Sequence, residues 1–84
     1  MPRALTAQWQ HLEPSAVAAA KAQWSARRDQ LAHSGAHYWV FRSPSDPTVF
    51  VEFIEAADAG LVKQARADAG MPPDAEILIE LELS

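Results

Sequence analysis

The 84-residue sequence contains no cysteine and no asparagine, and it is poor in basic residues. The absence of cysteine excludes disulfides, thiolate metal sites and a cysteine nucleophile. Only 7 Lys and Arg stand against 11 Asp and Glu, which gives a net charge of −4. Contacts with nucleic-acid phosphates need a clustered basic surface, so we expect no nucleic-acid partner.

Long hydrophobic runs are also missing. No stretch approaches the roughly 18 apolar residues of a membrane span, and the N-terminus lacks the apolar stretch of a signal peptide. We therefore expect a cytoplasmic protein without a membrane partner. The length fits one domain, residues 1–84. A chain this short buries only about 60–65% of the surface that it exposes when unfolded. Yet 49% of its residues are hydrophobic, which indicates burial against a second copy.

The order of hydrophobic and polar residues predicts six elements. Residues 3–12 alternate as a strand does, although the spacing of Leu5, Trp9 and Leu12 also fits a helix. A helix is predicted over residues 15–33, with Ser15 as its cap and Gly35 after its end. A second helix follows Asp58 and runs to residue 69, and residues 75–83 alternate as a last strand.

Residues 36–42 and 48–55 are predicted to form a β-hairpin. Both stretches are rich in aromatic and β-branched residues, and the turn-forming sequence Ser-Pro-Ser-Asp-Pro separates them. We expect Arg42 to pair with Thr48, which places Tyr38 directly opposite Glu52. A slip by one residue would mix apolar and polar side chains on each face, so this register is preferred.

The resulting order, β-α-β-β-α-β, predicts an α+β ferredoxin-like fold with two helices on one face of a four-stranded antiparallel sheet. We expect the helices to cover the more apolar face, which carries Leu5, Ala7, Trp9, Trp39, Phe41, Val49, Val51, Phe53, Ile77, Ile79 and Leu81. The opposite face mixes polar and apolar side chains, which suits a partly enclosed cavity. On this basis Trp9, Trp24 and Trp39 are interpreted as core residues.

The stretch Phe41-Arg42-Ser43-Pro44-Ser45-Asp46-Pro47, the strand that follows it and the helix start Asp58-Ala59-Gly60-Leu61 resemble the dimeric α/β-barrel superfamily, especially its antibiotic-biosynthesis-monooxygenase-like branch. The resemblance covers residues 35–62 by motif and the remainder by element order. It implies a homodimer in which two sheets face each other and enclose a ligand space. Known members include cofactor-free oxygenases, haem-degrading enzymes and lactone isomerases.

The sequence departs from that family pattern at three points. Ile54 stands where the family often has a Glu, and Ala56 stands where it often has a Trp. The Asn on which several haem-degrading and quinone-forming members rely is absent. The resemblance therefore implies a ligand-binding barrel rather than one of those chemistries, and we expect no cofactor.

Tyr38, Arg42 and Glu52 are the main candidate site residues. Tyr38 and Glu52 could transfer protons as catalytic residues, while Arg42 could hold a phenolate, enolate or carboxylate. The alternative is that Arg42 and Glu52 form an ordinary cross-strand ion pair. The rest of the expected cavity lining, which would bind the substrate, is Gln8, Gln10, Phe50, Ile54 and Glu80.

Other polar residues point less clearly to chemistry. Glu80 and Glu82 share a face and could serve acid–base chemistry, although charges on an edge strand also discourage aggregation. His33 and His37 are four residues apart but on different elements, so no metal site is expected. The predicted function is a homodimer that binds a small aromatic or acidic organic molecule, either as a cofactor-independent monooxygenase or isomerase or as a non-catalytic ligand-binding or protein-interaction dimer.

Overall fold

The structure, a computed structural model, describes residues 2–83. Its sequence of elements is β1 (Ala4–His11), α1 (Val17–His33), β2 (His37–Arg42), β3 (Val49–Ala56), α2 (Ala59–Asp68) and β4 (Leu78–Ile79). The strands form one antiparallel sheet in the order β2-β3-β1-β4, and both helices contribute to a core on one face of it. This is the predicted ferredoxin-like arrangement, and the strand prediction for β1 is confirmed over the helical alternative.

The helix ends follow local chemistry at most positions. Asp58 caps α2, because its Oδ1 accepts a hydrogen bond from the Leu61 backbone N–H at 2.9 Å. Gly35 and Gly70 follow the two helices with φ of +75° and +70°, a conformation that glycine adopts without steric cost. The predicted Ser15 cap is wrong, because Ser15 lies inside a 3₁₀ turn, Pro14–Ala16, and α1 begins after it without a side-chain cap.

The hairpin register differs from the prediction by two residues. Arg42 pairs with Phe50, and Tyr38 pairs with Ile54, so Glu52 lies opposite Val40 instead. The longer loop is closed by a hydrogen bond from the Ser43 N–H to the Val49 carbonyl at 2.9 Å. Because the shift is an even number of residues, the predicted division of side chains between the two faces is unchanged.

The prediction of which face the helices cover is wrong for β1, β2 and β3. The helices pack on the face that carries Tyr38 and Ile54, with exposed fractions of 8% and 0%. Within residues 2–83, no helix packs on the opposite face, which we call the open face. Its members on these strands are Leu5, Ala7, Trp9, Trp39, Phe41, Val49, Val51 and Phe53. Hydrophobicity alone predicts that the helices cover the more apolar face. The polar residues of the other face, however, have hydrogen-bond partners on the helices, so their burial beneath the helices is tolerated.

The last strand is much shorter than predicted. Only Leu78 and Ile79 pair with β1, opposite Leu5 and Ala4, instead of the predicted residues 75–83. Ile77 packs against the core as expected, but Leu81 is 77% exposed, so its assignment to the core is wrong. Neither of the two α-helices in residues 2–83 combines the length and hydrophobicity that a bilayer crossing requires.

Leu31 of α1 and Leu81 beyond β4 provide a matched test of where the core lies. Leu31 is fully buried, so Leu31→Ala should lower the free energy of unfolding by about 2–5 kcal/mol. The exposed Leu81 should tolerate the same substitution with a change of about 0.5 kcal/mol or less. Urea denaturation of the two variants measures both values, and equal losses would contradict the described core.

Candidate functional site

A buried carboxylate lies between the sheet and α1. Glu52 is 2% exposed, and both of its carboxylate oxygens accept hydrogen bonds. The Tyr38 hydroxyl and the Arg27 guanidinium donate to Oε1, the latter at 2.6 Å, and Gln10 Nε2 donates to Oε2 at 3.0 Å. Strands β1, β2 and β3 and helix α1 each supply one member, so these bonds tie four elements together.

The positions of these side chains follow from the strand and helix periods. Gln10 and Tyr38 point to the helix-covered side from strands that flank β3 on either side. Arg27 lies three residues after Trp24 and four before Leu31, so it falls on the stripe of α1 that faces the sheet. Trp24 packs on Phe50 with ring centroids 5.3 Å apart, which holds this part of α1 against β3.

Burial makes Tyr38 difficult to ionise. Desolvation is the largest cause that raises the pKa of its phenol, and the hydrogen bond to Glu52 and the negative charge of Glu52 raise it further. The Arg27 charge acts in the opposite direction with a smaller effect. Tyr38 is therefore a hydrogen-bond donor that keeps its proton, which does not suit a general base at neutral pH.

A second buried cation lies beside this cluster. Arg66 of α2 is 4% exposed, and it donates to three neutral oxygens: Thr6 Oγ1 at 3.4 Å, Gln8 Oε1 at 3.2 Å and the Pro72 carbonyl at 3.0 Å. Desolvation lowers the pKa of its guanidinium, an effect that the charge of Glu52 opposes. We refer to Gln8, Gln10, Arg27, Tyr38, Glu52 and Arg66 together as the buried polar layer.

A groove runs between α1 and the edge strand β2. It comprises two adjoining depressions of about 520 and 410 Å³, which share Lys21, Trp24 and Val40. Arg28 and Tyr38 line the first, and Arg42 and Phe50 line the second. Three cations and several aromatic side chains thus surround this α1–β2 groove, and no acidic residue is among the groups that line it.

The structure brings some of the predicted site residues together and separates others. Tyr38, Glu52 and Gln10 come together, although beneath the helices rather than on an open face, and Gln8 lies with Arg66. Phe50 and Ile54 are buried, and Arg42 is exposed at the end of β2. Glu80 lies apart from all of these, where it accepts a hydrogen bond from the Arg3 N–H at 3.1 Å. The cross-strand ion pair considered for Arg42 and Glu52 does not form, because Glu52 pairs with Arg27.

Sequence reasoning missed Arg27 and Arg66. Neither arginine is among the predicted site residues, whereas Arg28, which follows Arg27, is exposed on the helix surface. A signal for both was present: each arginine lies within an apolar stripe, four residues before Leu31 and four after Val62 respectively. An arginine within such a stripe indicates a buried acceptor on the facing element.

Comparisons with known proteins support the fold but assign no activity. No protein-family model matches the sequence, and no curated protein sequence matches it significantly. Among solved structures, the chain is similar to the crystal structure of a conserved protein from Methanosarcina mazei Go1, with a TM-score of 0.75 and 15% identity. The alignment covers 94% of this chain and 91% of that one. At this identity the similarity shows a shared fold.

Tyr38 is the only tyrosine in the chain, so its ionisation can be followed by the ultraviolet absorbance of tyrosinate. We expect the folded protein to keep Tyr38 protonated well above the usual pKa of about 10, and tyrosinate to appear together with unfolding. Since the folded-state pKa is the higher one, the resulting stabilisation is complete below about pH 10 and is lost as the pH rises beyond it.

Glu52→Gln should move the Tyr38 pKa part of the way back, because it removes the charge of Glu52 while burial remains. The control is Glu55→Gln, which removes a carboxylate three residues further along β3 and on its opposite face, where Glu55 bonds Arg3. A tyrosine that titrates normally in the folded parent protein, or an equal effect of both variants, would contradict the described contacts.

Proposed function

We propose that the protein is a homodimer that binds a small aromatic anion and that it does so without catalysis. The observation that carries this proposal is the open face. Trp9, Trp39 and Phe41 are 66%, 43% and 55% exposed there, which is unusual for aromatic residues that share one sheet face. A surface of this kind is typical of an interaction site.

A second copy of the chain is the partner that fits the open face best. In a two-fold dimer each face meets its own copy, so a charged face would repel itself. Here Phe41 and Phe53 pack edge to face at 5.6 Å, and the ionisable groups towards the ends of the strands are Arg3, His11, His37, Glu55 and Glu80. Most of the net charge of −4 therefore lies outside the surfaces that would meet.

The resemblance to the dimeric α/β-barrel superfamily supports the same assembly, since it implies two sheets that face each other. The proposed lining differs from the one the sequence predicted. Aromatic and aliphatic side chains of the open face would meet between the sheets, while Tyr38 and Glu52 bond to each other on the helix-covered side. This separation favours the non-catalytic alternative over proton transfer between the sheets.

The α1–β2 groove supports an aromatic anion as the ligand. Lys21, Arg28 and Arg42 provide positive charge along its walls, and Trp24 and Trp39 provide surfaces for ring stacking. The groove lies beside the open face, because Trp39 borders both. A ligand held there would contact the edge of the proposed dimer.

A cofactor-independent monooxygenase or isomerase is the second candidate. One observation favours it: Tyr38, which bonds Glu52, also borders the α1–β2 groove, so a phenol is within reach of a ligand bound there. In that case the phenol, whose single proton is donated to Glu52, would redirect that hydrogen bond to a developing oxyanion, and its raised pKa would keep it protonated.

The dimer is tested by a charge placed on the open face. We expect the parent protein to sediment as a dimer, and Trp9→Lys to raise the dissociation constant by about thirtyfold or more, which corresponds to the loss of a buried anchor of roughly 2 kcal/mol. Gln23→Lys, an exposed position on α1, is the matched control and should leave the dimer intact. A monomeric parent protein, or equal effects of the two lysines, would contradict the proposal.

The ligand class is tested with benzoate and its neutral analogue benzamide at constant ionic strength. We expect benzoate to quench tryptophan fluorescence saturably and benzamide to bind more weakly. Lys21→Gln and Arg42→Gln should each weaken benzoate binding roughly two- to fivefold, the effect of losing one exposed charge contact. Arg3→Gln removes a cation far from the groove and should have no effect; equal losses in all three variants would refute the assignment.

A further inference from the structure

The cavity beneath α2 contains a buried charge without a counter-ion. Its volume is about 80 Å³, and it lies between α2 and the segment of residues 71–77. Arg66 and Lys63 supply its polar wall, and Met71, Pro73 and Ile77 supply much of its apolar wall. No acidic side chain is among the residues that line it.

The partners of Arg66 leave its charge uncompensated. Its three hydrogen bonds go to a hydroxyl, an amide oxygen and a backbone carbonyl, all of them neutral. Within residues 2–83, no Asp or Glu oxygen forms an ion pair with its guanidinium. The nearest buried carboxylate, Glu52, already bonds Arg27 at 2.6 Å, so one buried negative charge is shared between two guanidinium groups.

The lack of an ionic partner for Arg66 is energetically unfavourable, and a bound anion would offset this effect. A guanidinium stays protonated in proteins, and a buried charge without an ionic partner is unfavourable because it has lost its hydration. Asp74 is the other acidic group whose charge acts on Arg66, but it is exposed to solvent, which screens it. A negatively charged ligand in the cavity would lie beside Arg66 and supply the ionic partner that its three neutral acceptors do not provide.

We propose that this cavity binds the carboxylate of a short aliphatic acid, with Arg66 and Lys63 on the carboxylate and the apolar wall around the alkyl chain. Lys63 lies three residues before Arg66, so both cations stand on adjacent positions of α2. A water needs roughly 10–15 Å³ of cavity volume, so about five to eight non-hydrogen atoms fit. Butyrate has this size, whereas an aromatic acid is larger.

The site is separate from the one assigned under the proposed function. The α1–β2 groove lies at the β2 edge of the sheet, and this cavity lies at α2 and the segment that precedes β4. Failure of benzoate binding would therefore leave this proposal standing, and failure of butyrate binding would leave the groove unaffected.

The methionine methyl group provides a direct readout. The chain has two methionines, and Met71 lines the cavity, so methyl-labelled protein gives two signals, which Met71→Leu assigns. We expect sodium butyrate to shift the Met71 signal saturably. Sodium chloride at the same ionic strength and the neutral analogue butyramide should not do so.

Charge variants complete the test. Lys63→Met should weaken butyrate binding roughly two- to fivefold, because Lys63 is exposed and its contact is screened. Arg3→Met removes an exposed cation that lines neither the groove nor the cavity and should leave binding unchanged, and Arg66→Met should abolish it where the variant folds. A Met71 signal that does not saturate, an equal response to butyramide, or equal effects of Lys63→Met and Arg3→Met would overturn the proposal.

Discussion

The carboxylate of Glu52 is the group on which the layering of this protein depends. A buried carboxylate without partners costs several kcal/mol, whereas hydrogen bonds to a charged group contribute about 1.5–3 kcal/mol each. Gln10 and Tyr38 bond it from the neighbouring strands, and Arg27 reaches it from α1. The helix must therefore lie on the side of the sheet from which Glu52 projects, and the aromatic face is left open.

The element order, the hydrophobic periods of the strands and helices and the Asp58 cap can be predicted from the sequence, because each is a local property. The covered face could not be predicted in the same way. Both faces of the sheet carry large apolar side chains, so a comparison of hydrophobicity does not separate them. The deciding information lies in pairs far apart in the chain, Arg27 with Glu52 and Arg66 with Thr6, which only the folded arrangement brings together.

The candidate site, like the fold, can be predicted from the sequence only in part. Tyr38 and Glu52 were predicted as neighbours and are neighbours, although by a diagonal contact between strands rather than by direct pairing. Arg42 and Phe50 were predicted to line a ligand space and do line a groove, on the side of the sheet next to α1. Glu80 does not join them because it lies beside Leu5 and Glu55, on the open-face side of the sheet and at the edge opposite β2. The sequence does not reveal this, because the face to which a strand residue points depends on which face the helices cover.

The brevity of β4 also has a consequence for motion. Two paired residues hold this strand to β1, while β3 is paired along its length to strands on both sides. Local opening follows the regions with the fewest buried contacts. Leu78, Ile79 and Leu81 are exposed, so we expect the chain from residue 78 onward to detach before the core that contains Met71 opens. Such a detachment would loosen the segment that walls the cavity at Arg66, and the Glu80 amide, which bonds the Arg3 carbonyl, would exchange its hydrogen faster than the amides of β3.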